Sequence, residues 1–142
     1  MQTTAKLHHW LPWLYLALAL AQTAHSIEEV LTGLWKNLPT VTDWIHARLP
    51  VVPVLYASAA GFAAANLVIV LLMLGLSFFV FQGRPWAVKT ARVVAVIEML
   101  NGLIHIIPAV VIGGYWSGSV SAVFLLGISL FLLFKTGSSH EH

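Results

Sequence analysis

His25, Glu28 and Glu29 stand in the order His-Ser-Ile-Glu-Glu, which on a helix puts the imidazole one turn from both carboxyls. Gln22 falls on the same stripe. Further along, Glu98, Asn101 and His105 recur at i, i+3 and i+7, again one face of a helix. Neutral imidazole and carboxylate are ligands for first-row divalent metals, and a His with a Glu one turn away can chelate from a single helix. His25 with Glu28 or Glu29, facing Glu98 and His105, imitates the Glu-x-x-His pairs of di-iron carboxylate bundles with the order reversed on the first helix. Such a set would hold Zn or Fe with an open position, the arrangement of a Lewis-acid or redox centre.

The surroundings restrict that chemistry. Apolar residues make up 59% of the chain and charged residues 8%, against about 25% charged in a soluble domain. Lipid must therefore do part of the solvating, and the chain reads as one all-α domain embedded in a bilayer. The absence of cysteine excludes disulfides and thiolate ligands. A net charge of +2, thinly scattered, excludes a nucleic-acid surface.

Four apolar stretches predict a four-transmembrane-helix bundle: residues 10–35, 54–81, 88–113 and 119–134. A disordered tail is expected over 136–142. Gly83-Arg84-Pro85-Trp86 and Gly113-Gly114-Tyr115-Trp116-Ser117-Gly118 read as turns with interfacial aromatics. In the longest connection, between helices 1 and 2, Thr42 or Asp43 would cap a short helix whose Trp44, Ile45 and Leu49 lie flat on the membrane. Lys6, Arg84, Lys89, Arg92 and Lys135 fall on one side and only Lys36 and Arg48 on the other, which places both termini in the cytoplasm. A rival reading takes Lys6, the apolar run Trp10–Leu20 and Ala19-Leu20-Ala21 as a cleavable signal peptide.

Helical rise tests whether the polar groups can meet. His105 lies about 12 Å, and His25 about 15 Å, below the outer helix ends. Asn66 is about 18 Å in, level with Asn101, and Glu98 about 22 Å. The histidines therefore share a level, while the spread from Glu29 to Glu98 exceeds one coordination sphere. A subset binds one ion, or the column forms two linked sites. Pro108 removes the amide that would bond Ile104 and is expected to kink the helix beside His105. Ala57, Gly61 and Ala65 read as a close-packing face.

His25-Ser26-Ile27-Glu28-Glu29 resembles the signature of the HXXEE-domain proteins, small four-helix membrane proteins to which no reaction is assigned. Asn101 and His105 are similar to a second family feature, an Asn and a His one turn apart on a later helix. Tyr115-Trp116-Ser117-Gly118 resembles the family's Tyr-x-Pro-Gly turn, with Ser in place of Pro. The resemblance implies a four-helix membrane fold and a site at these residues.

Three functions stay open. One is a metal centre of His25, Glu28, Glu29, Glu98 and His105, acting on a lipid-soluble substrate. The second is a metal-free acid–base isomerase or cyclase with Glu98 and Glu29 as its catalytic carboxyls. The third is an ion relay or a polar staple, for which one Asn such as Asn66 or Asn101 would suffice, since interhelical polar bonds contribute only about 0.6 kcal/mol on average. Glu28 and Glu29 could also be solvated at the interface. His46 is expected to be an exposed interfacial residue, and His8, His9, His140 and His142 solvated ends.

Overall fold

The computed structural model describes residues 9–137. It contains α1 (Leu11–Thr32), a short 3-10 turn (Leu34–Lys36), α2 (Leu38–His46), α3 (Ala59–Phe81), α4 (Pro85–Ile112) and α5 (Ser119–Gly137). No strand occurs among the described residues.

Local chemistry explains several boundaries that differ from expectation. α1 and α4 each open on a proline in the first turn, where no amide partner is needed, so α4 begins at Pro85 rather than at 88. α3 begins at Ala59 rather than 54, because the Ser58 hydroxyl accepts from the Gly61 amide at 3.0 Å and caps it. α1 ends at Thr32, short of Trp35, and the chain tightens into the 3-10 turn. α5 continues past 134 to Gly137, so Thr136 and Gly137, expected in a disordered tail, are helical. The rest of that tail, 138–142, and Lys6, His8, His140 and His142 lie outside the described residues. α4 runs through Pro108 as one helix.

The short helix in the long connection exists, but neither Thr42 nor Asp43 caps it. α2 starts at Leu38, and Thr42 is buried within it, accepting from the Leu55 amide at 2.9 Å. His46 is half-buried rather than exposed, with Nδ1 2.7 Å from the Val52 carbonyl, so it ties α2 to the chain that follows. Trp44 and Leu49 stay exposed, with the Arg48 guanidinium 3.9 Å above the Trp44 ring.

α1 packs on α3 and α5, and α4 packs on α5, while α3 and α4 touch only sparingly. The buried residues of α4 form one seam: Ala87, Ala91, Ala95, Glu98, Gly102 and His105. Small residues let the α5 backbone come close. A Cβ at Gly102 would stand 3.0 Å from Leu126 Cβ and 3.2 Å from the Ala122 carbonyl. α1 buries Leu11, Tyr15, Leu18, Gln22, His25 and Glu29 along one stripe. The expected packing face on α3 is corrected. Gly61 and Ala65 point outward, and Asn66, Val70, Met73, Ser77 and Val80 point inward instead.

Three helices, α3, α4 and α5, are long and apolar enough to cross a membrane. Only 22–33% of their most apolar windows is buried inside the protein, so most of that surface needs an apolar solvent. α1 is long enough but misses the apolarity, because its second half carries Gln22, Thr23, His25, Ser26, Glu28 and Glu29.

Candidate metal centre

The seams of α1 and α4 bring their polar groups together at one end of the bundle, where α1 and α4 finish and α5 begins. His25 Nε2 lies 3.3 Å from Glu29 Oε1, and His105 Nε2 lies 3.0 Å from the same oxygen. The two rings stand edge-on, centroids 4.6 Å apart at 85°. His25 is fully buried, and His105 and Glu29 nearly so. A ligand atom from each of the three lies within 4.8 Å of the others.

The far sides of the imidazoles set their tautomers. His105 Nδ1 is 2.6 Å from the Ser117 carbonyl, which can only accept, so Nδ1 carries a proton and donates it. His25 Nδ1 is 2.9 Å from Ser121 Oγ. That hydroxyl gives its own proton to Glu28 Oε2 and so accepts from His25. In a neutral ring, a proton on Nδ1 leaves Nε2 as a bare lone pair. Both Nε2 atoms thus point at one carboxylate oxygen, and three electron-rich atoms face one another.

Glu28, the other carboxylate of the motif, turns away from this cluster. Its Oε2 accepts from the Ser121 amide at 2.8 Å, and its Oε1 from Val120 N at 3.3 Å and Tyr115 Oη at 2.8 Å. These are first-turn amides of α5. The Gly118 carbonyl accepts the first bond of that helix, from Ala122, but glycine has no side chain with which to cap it. Glu28 supplies the missing cap from α1, and its negative charge suits a helix N-terminus. Partial burial and then the Glu28 carboxylate raise the Tyr115 pKa, keeping that hydroxyl a donor.

Gly118 has its own reason to be glycine. Its φ is +83°, and a Cβ would stand 2.7 Å from His105 Nδ1 and 2.8 Å from His25 Cε1. Thr32 fastens the adjoining turn to α1 through a hydrogen bond with the Ser117 hydroxyl.

The remaining expected site residues lie elsewhere. Glu98 is buried two turns from His105, where its Oε2 accepts from Asn101 Nδ2 at 3.3 Å, and it does not join the three-residue cluster. Gln22 lines the same groove as Glu98 and Asn101 and donates through Nε2 to Ser26 Oγ at 3.1 Å. Asn66 is buried on α3 and donates to the Phe62 carbonyl of its own helix at 3.3 Å. Sequence reasoning missed Ser117, Gly118, Tyr115 and Ser121 as supports. The turn containing the first three was visible, but its role as a wall of the site was not.

The profile of a family described as "Protein of unknown function with HXXEE motif" matches residues 16–132. The chain belongs to the HXXEE family. In this HXXEE protein the motif letters have separable geometry: His25 and Glu29 enter the cluster, and Glu28 caps α5. The match also spans α4, the turn that follows it and most of α5, which supply His105, Ser117 and Ser121. No curated protein and no solved structure matches the chain.

Proposed function

We propose that this HXXEE protein is a four-span membrane metalloprotein whose His25, Glu29 and His105 hold one divalent first-row ion, Zn or Fe. The observation that carries the reading is the convergence of two Nε2 lone pairs on Glu29 Oε1, with both Nδ1 protons committed to acceptors behind them. Three electron-rich atoms in a buried space need a cation among them. The spacing suits an ion: tetrahedral bonds of about 2.0–2.1 Å put neighbouring ligand atoms about 3.4 Å apart. The observed separations are 3.3 and 3.0 Å. A proton-bearing Nδ1 held by an acceptor is also the usual outer support of a metal-bound imidazole.

Three protein ligands leave a fourth position, which is how catalytic rather than structural zinc sites are built. There an ion supplies Lewis acidity, or redox chemistry in the case of iron, to a lipid-soluble substrate. Glu28 positions α5, and through it Ser117 and Ser121. Glu98 stays outside the ligand set as a candidate acid–base group deeper in the bundle. The second reading replaces the ion with a proton, pairing an imidazolium with Glu29 and leaving a metal-free acid–base site.

Metal analysis separates the two. Protein purified without chelator is expected to carry about one Zn or Fe per chain. His25→Ala and His105→Ala should each bring this near zero, while His46→Ala should not change it. Wild-type protein that purifies folded and metal-free, and whose thermal stability ignores added Zn2+ and Fe2+, would point to the proton instead.

α1 is the fourth span in this reading, its polar half lining the site rather than facing lipid. Arg84, Lys89 and Lys135 sit at the end of the bundle opposite the centre, and Lys36 and Arg48 near it. This supports cytoplasmic termini. A reporter fused after the last residue should be active only in its cytoplasmic form; the opposite result would invert the topology.

A further inference from the structure

No member of the His25, Glu29 and His105 cluster is more than 7% exposed, so an ion reaches it only if something moves. Three routes lead in, and their chemistry separates them. The lateral route crosses the apolar faces of α3, α4 and α5, where stripping the water from a divalent ion is costly. The route from the far end passes Arg84, Lys89 and Lys135, and then the stretch of α4 from Pro85 to His105, about 30 Å of rise. The near end is short: Glu29 stands one turn from Thr32, the last residue of α1.

What closes the near end is the turn 113–118. Its second half is seated on the rings. The buried Ser117 carbonyl accepts from His105, and Gly118 leaves no room for a Cβ before either imidazole. The first half is different. Gly113, Gly114 and Tyr115 are exposed, and a Cβ at either glycine would meet nothing within 4 Å. Two side-chain bonds to the end of α1 hold the turn down. Tyr115 Oη donates to Glu28 Oε1 at 2.8 Å, and the Ser117 and Thr32 hydroxyls bond each other. Gly113 (φ +68°) and Gly118 (φ +83°) bracket the turn, and glycine rotates through such angles without a Cβ penalty. A segment hinged at both ends, thinly packed and pinned by hydrogen bonds near the surface, opens at a lower free energy than the helices it joins.

We propose that the turn 113–118 is the gate of the His25/Glu29/His105 cluster, opening to the adjacent aqueous face to pass the divalent ion and latched by Tyr115 on Glu28 and Ser117 on Thr32. The proposal rests on the reading of the cluster as a metal centre. It gives Glu28 a second duty: once Tyr115 lets go, a carboxylate stands at the open mouth. An ion on Nε2 also makes the His105 Nδ1–H more acidic and strengthens its bond to the Ser117 carbonyl. The loaded centre therefore holds its own cover shut, and by reciprocity the closed cover retains the ion.

The chain has no cysteine, so one disulfide can lock the latch. The double variant Thr32→Cys with Ser117→Cys puts sulfurs where two hydroxyls touch, and the purified full chain is compared oxidised and reduced. Oxidation should slow zinc release to EDTA at least about tenfold, and reductant should reverse this. Tyr115→Phe should speed release about tenfold, as loss of one hydrogen bond to a carboxylate does, with zinc affinity little changed because loading quickens equally. A second readout needs no ion: diethyl pyrocarbonate attacks the bare Nε2 lone pairs of metal-free protein, and mass spectrometry maps the modified histidines. Oxidation should protect His25 and His105 and leave His46 at its parent rate, while Tyr115→Phe should quicken labelling of the pair. Protection by the disulfide in a protein that takes up no zinc would overturn the metal centre and keep the turn as the entrance to the cluster. Zinc binding with release and labelling identical in the oxidised and reduced pair would overturn the gate and keep the centre. Parent rates in Tyr115→Phe would overturn the gate as well, whether or not the disulfide forms.

Discussion

Replacement of Gly118 by alanine is expected to destabilise the protein by about 2–5 kcal/mol and to weaken metal binding by about 10- to 100-fold. Two costs combine. An L-residue at a φ of +83° is strained, at roughly 1–2 kcal/mol. The new methyl would also sit 2.7 Å from His105 Nδ1 and 2.8 Å from His25 Cε1, and relieving such overpacking typically costs about 1–3 kcal/mol. The rings are not free to give way. Moving His105 stretches its bond to the Ser117 carbonyl, and moving His25 stretches its bond to Ser121. Thermal melting and chelator competition for zinc measure the two effects separately. Gly114→Ala is the matched control: it is in the same turn, its φ is not positive, and a Cβ there meets nothing within 4 Å. If Gly118→Ala behaves like Gly114→Ala, the histidine pair is not seated against this turn.

The second large effect should separate the two consecutive glutamates of the motif. Glu28→Ala is expected to cost about 2–3 kcal/mol in stability, since a charged acceptor leaves the first turn of a helix. It should nonetheless bind about one ion per chain at saturating metal, because the three-ligand set is intact. Glu29→Ala should do the reverse, retaining most of the stability and losing the ion. Glu28→Gln, which keeps one acceptor oxygen, should fall between parent and alanine in melting temperature. Equal loss of metal in folded Glu28→Ala and Glu29→Ala would return Glu28 to the ligand set.

Periodicity made much of this legible. Glu98 and His105 continue the Ala87–Ala91–Ala95 seam, and a polar residue on a buried seam can be found by counting. Helical rise placed His25 and His105 at one level, and the structure brings their rings together. It also set Glu98 apart, about 10 Å of rise from His105. The division of labour between Glu28 and Glu29 was not readable. Adjacent residues point about 100° apart on a helix, but which of them meets α5 depends on where α5 packs. The carbonyl of Ser117 left no trace either, since every residue has a carbonyl. Ser121 was hidden in an apolar run, where one hydroxyl looks incidental. The sparse contact between α3 and α4 was the least visible of all: the apolar residues there would look the same if the helices were closed. α1 read as a span from its first half, and the structure shows why its second half is polar.

Glu28 and His25 are fastened to Ser121, more than ninety residues downstream. Until the last helix packs against α1, the His25 Nδ1 proton lacks its Ser121 acceptor and Glu28 has no helix to cap. Packing of α5 against α1 is therefore the step that completes this end of the site, and the first helix of the chain waits on the last.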